Sequence, residues 1–125
     1  MQARALMSDH YIEKRSQLPG SYVAYLEKHN GWEGDLGDYY GWVVILDKER
    51  IQEHWAMYEV AKYLPDYWFP FGHNGGGDML CFDLRKKGDP TYLVPYIAML
   101  EEDAQDHCVS FELIATEIEK KKGAI

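Results

Sequence analysis

Pro70-Phe71-Gly72-His73-Asn74-Gly75-Gly76-Gly77-Asp78-Met79-Leu80-Cys81-Phe82-Asp83-Leu84 decides the fold. Its middle, His73 to Asp78, is rich in Gly and Asn, which adopt positive φ at little cost, so it predicts a hairpin loop. Met79 to Leu84 alternates, with Leu80, Phe82 and Leu84 on one face and Met79, Cys81 and Asp83 on the other, which predicts a strand. On the other side of the loop, Tyr67 to Phe71 is aromatic and β-prone. Pro70 has no N–H to give to a ladder and therefore belongs at a sheet edge or a bulge.

Downstream, Lys86-Lys87-Gly88-Asp89-Pro90 predicts a second turn leading into a strand over Tyr92 to Ile97. The acidic stretch Glu101 to His107 reads as a connection or a weak edge strand. Ser110 then caps a closing helix whose apolar stripe is Phe111, Ile114, Ala115 and Ile118. Lys120 to Lys122 favour the dipole of its last turn, and Gly123 ends it.

Upstream, Asp9 to Arg15 reads as a short helix. Leu18-Pro19 opens a second, with Pro at the first helical position, and Tyr22, Tyr25, Leu26 and His29 share one face. Asn30-Gly31 stops it, because both residues tolerate the left-handed conformation of a C-terminal cap. A loop of Gly and acid follows, then Trp42-Val43-Val44-Ile45-Leu46 as a buried strand. Asp47 caps a third helix carrying Ile51, Trp55 and Tyr58, which runs until Pro65 stops it. Helices around a small antiparallel β-sheet make an α+β fold. No repeat, linker or low-complexity segment divides residues 1–125, so one domain is expected.

The chain has 125 residues, 13 Lys plus Arg against 21 Asp plus Glu, and a formal charge of −8. Hydrophobic residues at 46% and charged residues at 27% are those of a globular domain rather than a disordered one. No apolar run approaches the ~20 residues that span a bilayer. The first ten residues lack the continuous apolar segment of a signal peptide. Two cysteines, Cys81 and Cys108, are too few for a disulfide framework, so a reduced, cytoplasmic chain is expected. Direct nucleic-acid binding is not expected either, since phosphate contacts need an excess of Lys and Arg.

Catalytic and ligand chemistry finds little support. Gly75 to Gly77 is followed by Asp78 and a strand, whereas phosphate-binding loops open a helix and lack fixed negative charge. Asn74, Asp78, Asp83 and His73 offer donors near one turn, but neither calcium nor zinc spacing is present. Asp78 is expected instead to accept the backbone N–H bonds that shape the hairpin. Cys81 lies mid-strand, without the helix N-terminus that would make a thiolate, which speaks against a Cys81–His73 nucleophilic pair. Both cysteines read as small apolar core residues. No catalytic residue, metal or cofactor is therefore assigned.

Three segments carry a resemblance. Leu18-Pro19-Gly20-Ser21-Tyr22, continued by Tyr25-Leu26 and His29-Asn30-Gly31, resembles the opening motif of the SUKH superfamily, the domain of the yeast Smi/Knr cell-wall regulators and of many bacterial proteins. Pro70 to Leu84 resembles that family's central glycine-rich segment, and Ser110-Phe111-Glu112-Leu113-Ile114 its closing one. The resemblance implies an α+β Smi/Knr-like fold and no catalytic residues. In bacteria it implies an immunity protein that binds and neutralises a cognate toxin, often a nuclease. It also casts Leu18, Pro19, Asn30, Gly31, Gly72, Gly75, Gly76, Gly77, Asp78 and Asp83 as architecture.

Charge placement indicates where a partner would bind. Glu33, Asp35 and Asp38 have no base between them and lead into Tyr39, Tyr40 and Trp42; Glu101, Glu102, Asp103 and Asp106 form a second acidic run. Acid interleaved with Tyr suits a basic protein partner, here a basic toxin, and the first run is the preferred face. The alternatives are a regulatory scaffold for a non-toxin partner and, further off, a small-ligand or metal site at His73 to Asp83.

Overall fold

A computed structural model of the chain describes residues 10–123, with the side chain of Cys108 left outside the description. Helix α1 spans His10–Lys14 and tightens into a 3-10 turn at Arg15–Gln17. Asp9, expected to begin this helix, lies outside the described residues. Then come α2 (Gly20–His29), β1 (Trp32–Asp35), β2 (Trp42–Ile45), α3 (Lys48–Met57), α4 (Val60–Tyr63), β3 (Trp68–His73), β4 (Asp78–Asp83), β5 (Pro90–Pro95), a 3-10 turn (Glu101–Asp103), β6 (Gln105–Ser110) and α5 (Phe111–Gly123). The six strands form one antiparallel sheet in sequence order, β1 to β6.

Local chemistry explains most boundaries. Pro19 is the N-cap of α2 rather than its first helical residue, and its carbonyl accepts from the N–H groups of Tyr22 and Val23. Asn30 takes the left-handed C-cap, and its Oδ1 accepts from the Lys48 N–H, tying the end of α2 to the start of α3. Asp47 caps α3 by accepting from Arg50 N at 2.8 Å, and Ser110 Oγ accepts from Leu113 N at the start of α5.

Two expectations need correcting. The acidic loop after Gly31 begins with a strand, β1, whose Trp32 and Gly34 lie on one face and whose Glu33 and Asp35 lie on the other. The third helix does not run to Pro65; it ends at Tyr58, and Glu59 turns left-handed (φ 51) before α4. The acidic stretch, by contrast, is what its sequence indicated, a connection and an edge strand: a 3-10 turn followed by β6, which runs directly into α5.

Pro70 resolves the alternative posed by its sequence. β3 is interior to the sheet, and its register against β4 shifts between Pro70 and Gly72, so the proline occupies a bulge where the ladder is interrupted. β2 joins β3 only through Val44↔His73 and Ile45↔Gly72, assisted by the Leu46 N–H to Phe71 O bond. Gly72 makes that junction possible: a Cβ there would sit 2.1 Å from Val44 O.

The core is built on rings. Tyr22 of α2 packs against Phe69, Phe71 and Phe82 of the sheet and Phe111 of α5, with centroids 5.0–6.1 Å apart. Phe71 and Phe82 stack at 4.3 Å. The opposite sheet face, with Met79, Cys81 and Val94, is buried as well. The alternation in β4 therefore separates two buried faces rather than an inside from an outside.

Candidate functional site

The β1–β2 hairpin carries the preferred acidic face. Strand alternation points Glu33 and Asp35 the same way, and both are exposed. The connecting loop closes with Leu36 N–H to Gly41 O and Gly41 N–H to Gly37 O, while Asp35 Oδ1 accepts from Gly37 N at 2.9 Å. Buried Leu36 anchors the loop. Asp38 and Tyr39 stand in solvent, and Tyr40 is half-buried against the core with its ring edge-on to Tyr39 at 5.1 Å. Among the described residues, no Lys, Arg or His forms an ion pair with Glu33, Asp35 or Asp38.

The second acidic run is used differently. Glu101 accepts from the Tyr67 hydroxyl and from Trp68 Nε1, and lies 3.8 Å from Arg85. Those bonds hold its carboxyl below the usual carboxylate range, while Glu101 in turn raises the Tyr67 phenol. Arg85 stacks over the Tyr67 ring at 3.9 Å and reaches Asp83 through Nε and Nη2 at 3.0 and 2.9 Å. Burial pushes the Asp83 carboxyl up, but the hydrogen bonds and charge of Arg85 outweigh burial and leave it lowered. Glu102, Asp103 and Asp106 are exposed around this cluster. β1 and β6 are opposite edges of a six-stranded sheet, about 24 Å apart at the usual strand spacing, so the two acidic runs are separate surfaces.

The glycine-rich turn is closed by its own side chains. Asn74 Oδ1 accepts from Gly76 N at 2.8 Å and Asp78 N at 3.2 Å, and Asn74 Nδ2 donates to Asp78 Oδ2 at 3.2 Å. Asn74, not Asp78, therefore receives the backbone N–H groups that shape the hairpin; an amide and a carboxylate at these two positions are equivalent acceptors in sequence. His73 Nδ1 accepts from Gly75 N at 3.1 Å. Burial lowers the His73 imidazole, and the charge of Glu33 partly opposes it. Among the described residues, no group of three or more His, Cys, Asp or Glu side chains could hold a metal ion.

Cys81 is fully buried, and burial raises its thiol far above the usual range. It faces Pro70 and Tyr92 across the sheet, whereas His73 pairs with Met79, so no Cys–His nucleophilic couple forms between them.

A cleft of about 690 Å³ runs from Leu18-Pro19-Gly20-Ser21 to Lys86-Lys87-Gly88-Asp89. Asp89 Oδ2 accepts there from Ser21 Oγ at 2.6 Å and from Glu112 N at 2.9 Å. The turn before β5 thus laces α2, through Ser21, to the start of α5.

The profile of the SMI1 / KNR4 family (SUKH-1) matches residues 12–113. The chain belongs to this family. No curated protein matches the chain. As an SMI1 / KNR4 domain it has the α+β architecture that its sequence indicated, and among the described residues no helix is long and apolar enough to cross a membrane.

Sequence reasoning missed two groups in this SUKH-1 chain. One is the Asp83–Arg85–Tyr67–Trp68–Glu101 cluster, whose members come from separate stretches of the chain. The other is a ring cluster in which His54 Nε2 and the Tyr96 hydroxyl share a 2.7 Å hydrogen bond and Tyr58 packs 4.6 Å from Tyr96. Burial pushes the His54 imidazole down to about 4, and its Nδ1 is buried without a partner among the described residues. Only the Asp83-x-Arg85 spacing was available locally as a signal.

Proposed function

We propose that the chain is a non-catalytic protein-binding domain of the immunity type, acting in the cytoplasm on a cognate basic toxin. It neutralises the toxin by covering the surface with which the toxin meets its substrate. Glu33, Asp35, Asp38, Tyr39 and Tyr40 form the primary contact face; Glu102, Asp103 and Asp106, beside Glu101, form a secondary one. No metal or cofactor takes part. The observation that carries this reading is the β1–β2 hairpin, which presents three carboxylates without cationic partners among the described residues, beside an exposed tyrosine. Where Asp83 and Glu101 spend their charge inside the molecule, these three leave theirs directed at solvent.

A field of one sign accelerates encounter with an oppositely charged protein and weakens as salt rises. Co-expression with the protein encoded by the adjacent gene tests the proposal directly. Protection of the cell and a salt-sensitive complex are expected, and both should be lost when Glu33, Asp35 and Asp38 are replaced together by Lys. Protection that survives this triple replacement would remove the hairpin as the contact face.

A further inference from the structure

Beside the acidic hairpin lies an aromatic surface that neither the core nor the turn requires. Trp42 is 45% exposed and Tyr58 41%, while Ile97 is 88% exposed. The Trp42 indole runs over the glycine turn, close enough that a Cβ on Gly75 would lie 2.9 Å from Trp42 Cδ1. The Tyr96 N–H donates to Gly77 O at 3.0 Å, which fixes that residue against the other arm of the same turn. Its ring then meets Tyr58 at 4.6 Å with the planes tilted by 44°. Pairing places Asp35 opposite Trp42, and Glu33, Val44 and His73 in one row across the sheet. His73 lies 6.4 Å from Tyr96. Carboxylates and rings therefore share one face of the molecule.

Protection of a sheet edge is the ordinary reason for charges on an outer strand. It accounts for Glu33 and Asp35 but not for the exposure of Trp42, Tyr58 and Ile97. The complement of open ring faces flanked by carboxylates is a flat cation. A guanidinium stacks flat on aromatic faces while donating to carboxylates in its plane, whereas an ammonium is a compact, strongly hydrated point charge without that planar fit.

We infer that Trp42, Tyr58 and Tyr96, with Glu33 and Asp35, form a platform that receives an arginine side chain from a loop of the protein partner. This rests on the hairpin being the partner-facing surface, and adds the chemistry it selects. Ile97 supplies an apolar rim for the aliphatic part of that loop.

The test is a titration of the ¹⁵N-labelled full chain with an end-blocked Gly-Arg-Gly-Arg-Gly peptide and with its lysine twin. Saturable shifts are expected at the Trp42 indole N–H and at the amides of His73, Gly75, Gly77 and Tyr96. The arginine peptide should bind about threefold or more tighter than the lysine peptide, and Trp42→Ala or Tyr58→Ala should each weaken it about fivefold. Glu33→Gln with Asp35→Asn should weaken both peptides alike. Shifts centred on Glu102 to Asp106, or equal affinity for the two peptides with no effect of Trp42→Ala, would overturn the platform. Capture of the partner itself separates this idea from the one beneath it. If Glu33→Lys, Asp35→Lys and Asp38→Lys together abolish capture while Trp42→Ala and Tyr58→Ala leave it unchanged, the platform falls and the acidic hairpin stands.

Discussion

Replacing Gly72 by Ala should detach the hairpin that carries the acidic face. The added Cβ would lie 2.1 Å from Val44 O and 3.2 Å from Val44 C, both backbone atoms that cannot rotate away. A carbon–oxygen contact relaxes at about 3.3 Å, so β2 and β3 must separate by roughly 1 Å. That junction consists of Val44↔His73, Ile45↔Gly72 and the 3.0 Å Leu46 N–H to Phe71 O bond, so no neighbouring pair remains to hold the strands in register. Losing two or three backbone hydrogen bonds at about 1 kcal/mol each, with overpacking of about 1–3 kcal/mol, gives a loss of about 4 kcal/mol. Urea unfolding at neutral pH measures it, and hydrogen exchange locates it. Amides of 32–45 should lose protection ahead of those in β4 and β5. Gly20→Ala is the control, because nothing lies within 4 Å of its added Cβ. A loss below about 1 kcal/mol for Gly72→Ala, with β2 still protected, would refute the reasoning, since real overpacking of this kind costs more.

Two further outcomes test the interior. Burial pushes His54 from 6.5 down to about 4, so the unfolded chain takes up this proton first as the pH falls. The stability it contributes is complete above pH 6.5 and is withdrawn progressively towards pH 4, amounting to about 3 kcal/mol over that window. His54→Phe should flatten the stability–pH profile between pH 6.5 and about 4, and parallel profiles for the two proteins would refute the assignment. Asp83→Asn leaves one acceptor where the carboxylate took Arg85 N, Nε and Nη2, and should cost about 2–3 kcal/mol in chemical denaturation at pH 7. A cost below about 1 kcal/mol would show that the buried acid does not depend on the pair.

What could be read from the chain was what short-range chemistry controls. Asp47 and Ser110 cap helices through bonds to the residue three positions on, Asn30 ends α2 by its own left-handed conformation, and the Gly75–Gly77 turn joins two strands its composition announces. β1 escaped because Gly34 weakens the strand pattern; the gap it leaves is filled by its own neighbour, Trp32, whose Cη2 lies 2.5 Å from where a Cβ would be. The left-handed Glu59 is a non-glycine in a conformation that sequence disfavours, so α3 reads as continuous with α4. Trp42 belongs to an apolar run yet is exposed, because it begins β2 where the sheet ends over the glycine turn. The Glu101 cluster was illegible for a different reason: its bonds to Tyr67 and Trp68 span 34 and 33 residues.

Net charge alone cannot locate a binding surface, because an acidic residue spent on its own fold attracts nothing. Asp83 holds Arg85, Glu101 holds Tyr67 and Trp68, Asp47 caps α3, and Asp89 joins Ser21 to α5. Each is neutralised or hydrogen-bonded where it stands, and removing any of them would be felt first as lost stability. Among the described residues Glu33 and Asp38 make no such bond, and Asp35 makes one, to the loop that follows it. Their field is therefore uncompensated at the outermost strand, on a hairpin held to the sheet through the narrow contact at Gly72. The same feature that makes the hairpin costly to disturb from within fixes its position from without. A recognition surface on this arrangement is presented by the core as a rigid edge, and a substitution at Gly72 should weaken partner binding without touching a single contact residue.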